Sequence, residues 1–352
     1  MKTTIIPVFI PHLGCHHLCV FCNQKKISGS MGAPTAEEIK NTTKQFCDAD
    51  ISKVYEMAFY GGSFTALPLD LQTYYLEIAA SLKKEKKIKK IRFSTRPDAI
   101  TPEILTLAKQ YGVDTIELGV QSLDEEVLRL SERGHGVYEV TNASALIRSY
   151  GFSLGLQFMP GLPGDNAEKI KATVHKMITL APDFVRIYPT IIIKGTKLAE
   201  LYEQGHYKPF SLETMVRMAA DAYLSFTAHN IAVIRIGLQA SDNLTEEKDL
   251  VAGPYHPAFG EMVISRIFRD LIADCLDHHQ EESITIKVNS RNVSKVIGQK
   301  KENIQWLQAI KKITIRIEQT DTLGDQDLVM VFGNKEERRT LRQFARQIDT
   351  QS

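Results

Sequence analysis

The feature that most constrains the fold is an alternation of short apolar segments with longer helical patterns, which runs through the first two-thirds of this 352-residue chain. The apolar run TIIPVFI (3–9) is typical of a buried strand. The segment TAEEIKNTTKQFCDA (35–49) is typical of a helix, with Thr35 placed as its N-cap. About six such strand and helix pairs follow one another, and alternation of this kind predicts a parallel sheet with helical crossovers. We therefore expect an α/β fold, a partial (β/α)6 barrel of the TIM-like kind rather than a complete eight-unit barrel.

The composition excludes several other classes of protein. A hydrophobic content of 43% with 24% charged residues is ordinary for a globular enzyme. The formal net charge of +1 gives no overall attraction to nucleic acid or membrane, so any basic surface must be local. No apolar run reaches the roughly 18–20 residues of a membrane-spanning helix, and the N-terminal segment lacks a signal-peptide cleavage site. Five cysteines, an odd number, favour a reducing compartment. We expect a cytoplasmic protein that does not contact membranes.

The pattern changes near residue 280. The polar segment ADCLDHHQEES (273–283) is predicted to be a linker between a domain at 1–272 and a domain at 284–352. The second domain is predicted to contain strands at 284–288, 312–318 and 327–333, and helices at 290–297, 302–310 and 335–348. The order β-α-α-β-β-α predicts a small α+β domain.

Three of the five cysteines are crowded into the segment GCHHLCVFC (14–22), at the spacing C-x3-C-x2-C. Cys15, Cys19 and Cys22 follow the first predicted strand directly, so they lie at its carboxyl end, where α/β folds place their chemistry. Thiolates bind zinc or iron–sulfur clusters, and a structural zinc needs four protein ligands. Because Cys47 and Cys275 are isolated, three thiolates favour a four-iron cluster with one open iron. The alternative is a zinc site closed by a nearby histidine, namely His12, His16 or His17.

This spacing resembles that of the radical S-adenosylmethionine (SAM) superfamily, and the resemblance extends beyond the cysteines. The segments YGGSF (60–64), IELGVQS (116–122) and LQFMPGLPGD (156–165) are similar to the family's Gly-Gly segment, its fourth strand and the strand with a Gly-Pro loop that follows. The resemblance implies a [4Fe-4S] cluster on Cys15, Cys19 and Cys22. It also implies a set of SAM contacts, which are Phe21, Gly61, Gly62, Ser63, Ser94, Glu117 and Gln121. Two positions depart from the family, because Ser63 and Ser94 stand where many relatives carry an acidic residue.

The resemblance implies a specific reaction. The open iron would bind the amino and carboxylate groups of SAM, and an electron from the cluster would release a 5′-deoxyadenosyl radical that removes a hydrogen atom from the substrate. Such an enzyme requires an electron donor, for example flavodoxin or ferredoxin. The protein would position and seclude the reacting groups.

Three further stretches resemble the radical domain of the Elongator catalytic subunit, which modifies the wobble uridine of tRNA. They are STRPDAI (94–100), IELGVQSLDEEVLRLSERGHG (116–136) and VRIYPTIIIKGTKLAELYEQGHYKPF (185–210). The match covers residues 1–240. No acetyltransferase pattern follows residue 280, so an acetyl-derived product is not implied. Charged and polar residues in these stretches are candidates for the substrate site or for structural ion pairs. Those predicted to be catalytic are Arg96, His135, Tyr188 and Lys194, with Arg133, Arg186 and Arg235 as further candidates.

The C-terminal segment resembles a KH domain of the first type, which holds single-stranded nucleic acid on a Gly-x-x-Gly loop. Here the segment VIGQKKENI (296–304) keeps the first glycine, Gly298, but has Lys301 in place of the second. A local cluster of basic residues could supply the phosphate contacts instead. The predicted RNA-binding residues are Arg291, Lys295, Gly298, Lys300 and Lys301. The alternative is an accessory domain that packs on the barrel or forms a dimer.

The leading hypothesis is a radical SAM enzyme, a transferase in type, that modifies a base in RNA, with tRNA as the expected substrate. One alternative is a radical SAM enzyme that acts on a small molecule, as in relatives resembling oxygen-independent coproporphyrinogen oxidase. The other is a non-enzymatic RNA-binding protein with a structural metal. The sequence predicts neither the group added nor the oligomeric state.

Overall fold

The computed structural model describes residues 3–10, 18–23, 32–50, 52–238, 249–279 and 281–351. These residues form two compact units. The first comprises the described residues of Met1–Pro209 and Ala240–Gly253, and the second those of Phe210–Gln239 and Pro254–Ser352. In the described part of the chain, no helix is both long enough and apolar enough to cross a bilayer.

The first unit is organised around six strands that pair side by side in chain order, each parallel to the next. They are β1 (Thr3–Ile10), β2 (Val54–Gly61), β3 (Lys90–Thr95), β4 (Thr115–Gln121), β5 (Ser153–Phe158) and β6 (Phe184–Ile187). All seven residues of β4 are buried, as expected for a parallel strand that is covered on both faces. This arrangement confirms the predicted partial α/β barrel.

Helices connect successive strands of the first unit. They are α1 (Ala36–Ala49), α2 (Leu69–Lys84), α3 (Pro102–Gln110), α4 (Glu125–Leu130), α5 (Val137–Ser149), α6 (Ala167–Thr179) and α7 (Lys197–Glu203). The predicted caps are present: Thr35 and Glu38 form a capping box at α1, and Thr101 caps α3 with Pro102 in its first turn. A short antiparallel pair, β7 (Ile192–Ile193) with β9 (Leu250–Ala252), completes the described part of this unit.

The second unit contains three long helices and a four-stranded sheet. In chain order its elements are α8 (Leu212–Ala228), β8 (Ala232–Ile236), α9 (Phe259–Leu276), β10 (Ser283–Val288), α10 (Val293–Ile297), α11 (Glu302–Lys311), β11 (Thr314–Gln319), β12 (Asp327–Phe332), β13 (Lys335–Thr340) and α12 (Leu341–Gln351). The four-stranded sheet has the order β11-β10-β12-β13. The β-α-α-β-β-α core predicted from the sequence is therefore present, with one added strand.

The added strand corrects a prediction made from the sequence. The segment 335–348 was predicted to be entirely helical, but Lys335–Thr340 pairs antiparallel with β12, and the helix begins only at Leu341. Gly333, with φ of +56°, allows the chain to reverse there. Pairing with β12 outweighs the helical propensity of KEERR. The segment predicted as a linker, 273–283, begins inside α9, since Cys275 and Leu276 are buried residues of that helix.

Candidate active site

The described part of the thiol segment is a tight turn held by two other parts of the first unit. The Cys22 backbone N–H donates to the Cys19 carbonyl at 3.0 Å. Val20 joins the turn to its surroundings, because its N–H donates to the Ser131 carbonyl at 3.2 Å and its carbonyl accepts from the Leu198 N–H at 2.8 Å. Cys19 is buried and Cys22 is half-buried. The turn is therefore fixed by backbone bonds that do not depend on a metal.

Phe21 packs against an apolar cluster rather than pointing into open space. The cluster consists of Val20, Ile192, Leu198, Ala199 and Tyr207. The third predicted thiolate, Cys15, lies outside the described residues, as do His12, His16 and His17. Across the described ranges, no three histidine, cysteine or acidic side chains converge on one point.

Two arginines approach the buried sulfur of Cys19. Arg133 donates from one terminal nitrogen to Cys19 Sγ at 3.0 Å and from the other to the Gly119 carbonyl at 2.6 Å. A terminal nitrogen of Arg96 lies 4.0 Å from the same sulfur, and Arg96 also bonds both carboxylate oxygens of Asp98 at 2.9 and 3.0 Å. Arg96 further donates to the Arg133 carbonyl. The buried sulfur of Cys19 thus lies beside two guanidinium groups.

His135 lies beside these arginines and is buried. Its Nδ1 lies 3.3 Å from the Gly136 carbonyl, and within the described residues its buried Nε2 has no hydrogen-bond partner. Burial, and after it the charge of Arg133, lower the pKa of His135 to about 4. The imidazole is therefore neutral at pH 7 and leaves a ring nitrogen able to bond a ligand.

The Gly-Gly segment makes a close backbone turn at the end of β2. Gly61 has φ of +112°, and a Cβ at this position would lie 2.6 Å from the Ile10 carbonyl oxygen, so only glycine fits. The Gly62 N–H donates to the same carbonyl at 3.0 Å. Gly62 and Ser63 line a narrow cleft together with Ile10 and Tyr60. The turn brings bare backbone to the carboxyl edge of the sheet, next to the first strand's end.

The hydroxyl of Ser63 is committed to the protein. It lies 2.8 Å from Thr95 Oγ1, which is itself 2.6 Å from Thr65 Oγ1, and it accepts the Arg96 N–H at 3.1 Å. Ser94, the neighbouring predicted SAM contact, is half-buried in β3. Ser63 therefore joins the Gly-Gly turn to the arginine that faces Cys19.

Glu117 is the centre of a buried charge network inside the sheet and has no exposed surface. Arg92 donates to it at 2.7 Å, and Arg186 contacts both carboxylate oxygens at 3.1 and 2.8 Å. Tyr60 and Gln157 donate at 3.3 and 3.2 Å. Burial alone would raise the pKa of Glu117, but the charges of Arg186 and Arg92 lower it below its usual range. The carboxylate is thus ionised and fully occupied by protein groups.

This network contains four residues that the sequence reasoning missed, namely Glu56, Tyr60, Arg92 and Gln157. Arg92 joins Glu117 to Glu56, whose Oε2 it reaches at 2.6 Å, and Tyr60 accepts a bond of 2.8 Å from Arg186. The signal was available in the sequence, because Glu56 and Arg92 are charged residues inside otherwise apolar strands, where a charge requires a partner.

The remaining predicted residues of the first unit fall in three different environments. Gln121 has φ of +67° at an irregular step of the β4–β5 pairing, and its buried Oε1 has no partner within the described residues. Tyr188 is half-buried and accepts from Arg186 at 3.3 Å. Lys194 is exposed and contributes backbone bonds, one of them 3.5 Å from the Asn23 amide that follows Cys22. The structure thus brings Arg96, Arg133 and His135 together near Cys19.

These residues fit a SAM-binding iron–sulfur site. A positively charged pocket around a buried sulfur suits an anionic cluster. The glycine turn presents backbone at the carboxyl edge of the sheet. Gln121 Oε1 and His135 Nε2, which have no hydrogen-bond partner among the described residues, can each accept one more hydrogen bond.

The Gly-x-x-Gly-like loop of the second unit keeps the glycine conformation without the second glycine. Gly298 has φ of +80°, and Lys300 and Lys301 have φ of +48° and +65°, all left-handed. Lysine rarely adopts this conformation, so the surrounding structure must hold the loop. Asn303 does so: its buried amide donates to Ser265 on α9 at 3.0 Å and to the Lys295 and Val296 carbonyls at 3.1 and 3.3 Å.

The five predicted RNA-binding residues differ in availability. Lys300 and Lys301 are exposed, and neither forms an ion pair within the described residues. Arg291 is exposed but lies 3.7 Å from Asp325. Lys295 donates to Asn292 at 2.9 Å. The free positive charge therefore concentrates at the loop, next to Gly298.

Comparison with known families agrees with this geometry. The profile of the radical SAM superfamily matches residues 9–177, and that of the radical SAM C-terminal domain matches residues 182–269. The chain belongs to the radical SAM superfamily. A KH-domain profile matches residues 283–344 of the same radical SAM protein, which confirms the predicted C-terminal domain.

Several curated proteins resemble this radical SAM chain. A tRNA uridine(34) acetyltransferase of Dehalococcoides mccartyi is 31% identical over 186 residues, which are 47% of this chain and 40% of that protein. Human Elongator complex protein 3 is 31% identical over 185 residues, 47% of this chain and 34% of that protein. An uncharacterised protein of Methanocaldococcus jannaschii is 29% identical over 254 residues, 68% of this chain and 76% of that protein. The chain thus spans well under half the length of this tRNA uridine(34) acetyltransferase and of human Elongator complex protein 3.

The fold also has a counterpart among solved structures. The archaeal Methanocaldococcus infernus Elp3 with an N-terminal deletion superposes with a TM-score of 0.61 at 20% identity, covering 76% of this chain and 63% of that one. At this identity the likeness concerns the fold. The profiles divide the chain into a radical SAM domain, its C-terminal domain and a KH domain.

Proposed function

We propose that this protein is a [4Fe-4S]-dependent radical SAM enzyme that modifies a base in RNA, with tRNA as the substrate class. The observation that carries the proposal is the Cys19–Cys22 turn, in which the buried sulfur of Cys19 faces the guanidinium of Arg133 at 3.0 Å. Cys15, Cys19 and Cys22 would hold the cluster. When bound, the cluster would supply the electron that cleaves SAM to methionine and a 5′-deoxyadenosyl radical.

The residues of the first unit would have separate tasks at this site. Gly61 and Gly62 would present backbone to the methionine part of SAM. Gln121 Oε1 and His135 Nε2 would each take one hydrogen bond from a bound ligand. Because Glu117 and Ser63 are already bonded to protein groups, we assign them to holding this framework rather than to direct SAM contact.

The proposal of an RNA substrate rests on the second unit and on the relatives. The KH profile and the paired left-handed lysines at 300 and 301 support a loop that presents two ammonium groups to phosphates. The names of the tRNA uridine(34) acetyltransferases support tRNA as the class. A reducing cytoplasm with flavodoxin or ferredoxin as electron donor fits the oxygen-sensitive cluster.

The first experiment tests the chemistry. If the proposal holds, protein reconstituted without oxygen should contain about four iron and four sulfide ions per chain. With a reductant it should convert SAM to 5′-deoxyadenosine. Variants Cys19→Ala and Cys22→Ala should lose both properties, whereas Cys47→Ala should keep them. A protein that binds one zinc and no sulfide would refute the proposal and favour the structural-metal alternative.

The second experiment tests the substrate. Binding of unmodified tRNA should weaken as salt rises, and the double variant Lys300→Glu, Lys301→Glu should flatten the slope of log K against log[salt] by about 1.4 for two lost phosphate contacts. The matched control is the double variant Lys84→Glu, Lys86→Glu, which reverses the charge of two exposed lysines of the first unit. If the wild-type protein cleaves SAM but shows no detectable binding to tRNA, the proposal of an RNA substrate is refuted and a small-molecule substrate is favoured. Comparison of tRNA nucleosides from cells with and without the gene would then identify the base.

A further inference from the structure

The carboxyl end of helix α10 is completed by two buried side chains from outside that helix. Ser265 on α9 donates from its hydroxyl to the Lys295 carbonyl at 2.8 Å. The amide nitrogen of Asn303 donates to the same carbonyl and to that of Val296, at 3.1 and 3.3 Å. Because the last carbonyls of a helix have no partner within the helix, they need donors of this kind. The two side chains therefore cap α10 at the point where the loop at Gly298 begins.

The same two side chains are also bonded to each other. The amide nitrogen of Asn303 lies 2.9 Å from the hydroxyl oxygen and 3.0 Å from the carbonyl oxygen of Ser265. Asn303 is 2% exposed and Ser265 is 7% exposed, so water cannot easily replace a lost bond at either one. We call this pair the Ser265–Asn303 brace.

The brace supports a loop whose backbone conformation is unfavourable by itself. Lys300 and Lys301 have φ of +48° and +65°, a region in which a side chain crowds the backbone. Without support, lysines would mostly leave this region. A Cβ at Gly298 would lie 2.9 Å from the Asn303 backbone nitrogen, so the start of the loop packs directly on the brace. The brace thus links the conformation of the loop to helix α9.

The brace crosses the boundary between two of the profiles. Ser265 lies in the match to the radical SAM C-terminal domain, residues 182–269, whereas Asn303 and the loop lie in the match to the KH domain, residues 283–344. We propose that Ser265 is a positioning residue for RNA binding, which acts through Asn303 to hold the Gly298–Lys301 loop in the conformation that binds phosphates. This inference rests on the proposed RNA substrate. A loop that is held in its bound conformation loses less conformational entropy when it binds.

The test measures the affinity of the reconstituted protein for unmodified tRNA at several salt concentrations. Ser265→Ala removes the hydroxyl that bonds both Lys295 and Asn303. We expect it to weaken binding about fivefold or more, since the apparent Kd rises as the competent loop conformation becomes less populated. The slope of log K against log[salt] should stay at the wild-type value, because the bound loop still makes the same phosphate contacts. The matched control is Ser144→Ala, which truncates another buried serine, on α5, and should leave the affinity unchanged.

A second comparison separates positioning of the loop from a general effect on stability. Glycine adopts positive φ without strain, so the variant Lys301→Gly needs less support from the brace. In the Lys301→Gly background, Ser265→Ala should therefore weaken tRNA binding by only about twofold or less. Equal fold-changes in the two backgrounds would show that Ser265 does not act on the loop conformation, and would overturn the inference.

The remaining outcomes separate this inference from the proposed function. Wild-type affinity in Ser265→Ala would overturn the role of Ser265 and leave the proposed RNA substrate intact. A flattened salt slope in this variant would mean that phosphate contacts are lost, which also contradicts a positioning role. A wild-type protein that does not bind tRNA would overturn both proposals. If circular dichroism shows that Ser265→Ala is unfolded, Ser265→Cys replaces it with the same expectations, because a thiol nearly keeps the volume but is a weak donor.

Discussion

Replacing Glu117 by glutamine separates a structural role from a cofactor-binding role. The substitution keeps the shape of the side chain and removes its charge. Arg92 would still be paired with Glu56 at 2.6 Å, but Arg186 would lose its carboxylate at 2.8 Å. One guanidinium would then be buried without a counter-charge in a site where Glu117 has no exposed surface. Breaking a buried pair in this way costs about 3–5 kcal/mol.

Thermal unfolding measures this effect. For a domain of 150–250 residues, 1 kcal/mol corresponds to roughly 2–4 °C in midpoint, so Glu117→Gln should lower the midpoint by roughly 6–20 °C at a fixed scan rate. The control is Glu203→Gln, which removes an exposed carboxylate at the end of α7 and should change stability by no more than about 0.5 kcal/mol. SAM affinity, measured on reconstituted protein below the unfolding transition, should remain close to that of the wild type.

The opposite pattern would refute this reasoning. If Glu117→Gln unfolds at the wild-type temperature and binds SAM at least tenfold more weakly, Glu117 is a SAM contact and the network around it is not essential to stability. The double variant Glu117→Gln, Arg186→Gln adds a second check. Because it removes both partners, it should recover part of the lost stability.

Three further predictions concern other parts of the molecule. Gly61→Ala should destabilise the protein by roughly 1–3 kcal/mol or more, since the added Cβ meets the Ile10 carbonyl. The control Gly151→Ala, at φ of +80° in open space, should cost only about 1 kcal/mol. Equal losses of unfolding free energy in chemical denaturation of the two variants would contradict this. Burial and Arg133 lower the folded-state pKa of His135 to about 4 from an unfolded value near 6.5. The contribution of this residue to the free energy of unfolding is therefore present above pH 6.5 and falls by up to about 3 kcal/mol between pH 6.5 and 4. The variant His135→Gln should lose that part of the pH dependence of the unfolding midpoint. Asn303→Ala should cost about 1–3 kcal/mol and speed hydrogen exchange in α10 and α11, while the exposed Gln305→Ala should do neither.

The sequence by itself determined the order of the elements and the families that the two domains resemble. Alternating apolar and helical periods specify parallel strands because each buried strand must be followed by a helix that covers it. Local signals such as the Thr35 capping box and the glycine turn at Gly61 were equally readable, because they depend on residues close in the chain or on one allowed conformation. The spacing of the three thiols indicated the radical SAM superfamily and the loop at Gly298 indicated a KH domain, because both motifs consist of residues close together in the chain.

Only the tertiary structure decided which side chains remain available to a ligand. Glu117 was predicted as a cofactor contact, but it lies between Arg92 and Arg186 from neighbouring strands, and that pairing depends on strand order and register. The strand at Lys335–Thr340 exists because β12 offers it a hydrogen-bonding edge, which no local propensity reveals. The contact between Arg133 and Cys19 joins residues that are 114 positions apart. Charge partners are set by distance in space, so the partners of a buried charge can be named only after the fold has placed the side chains around it.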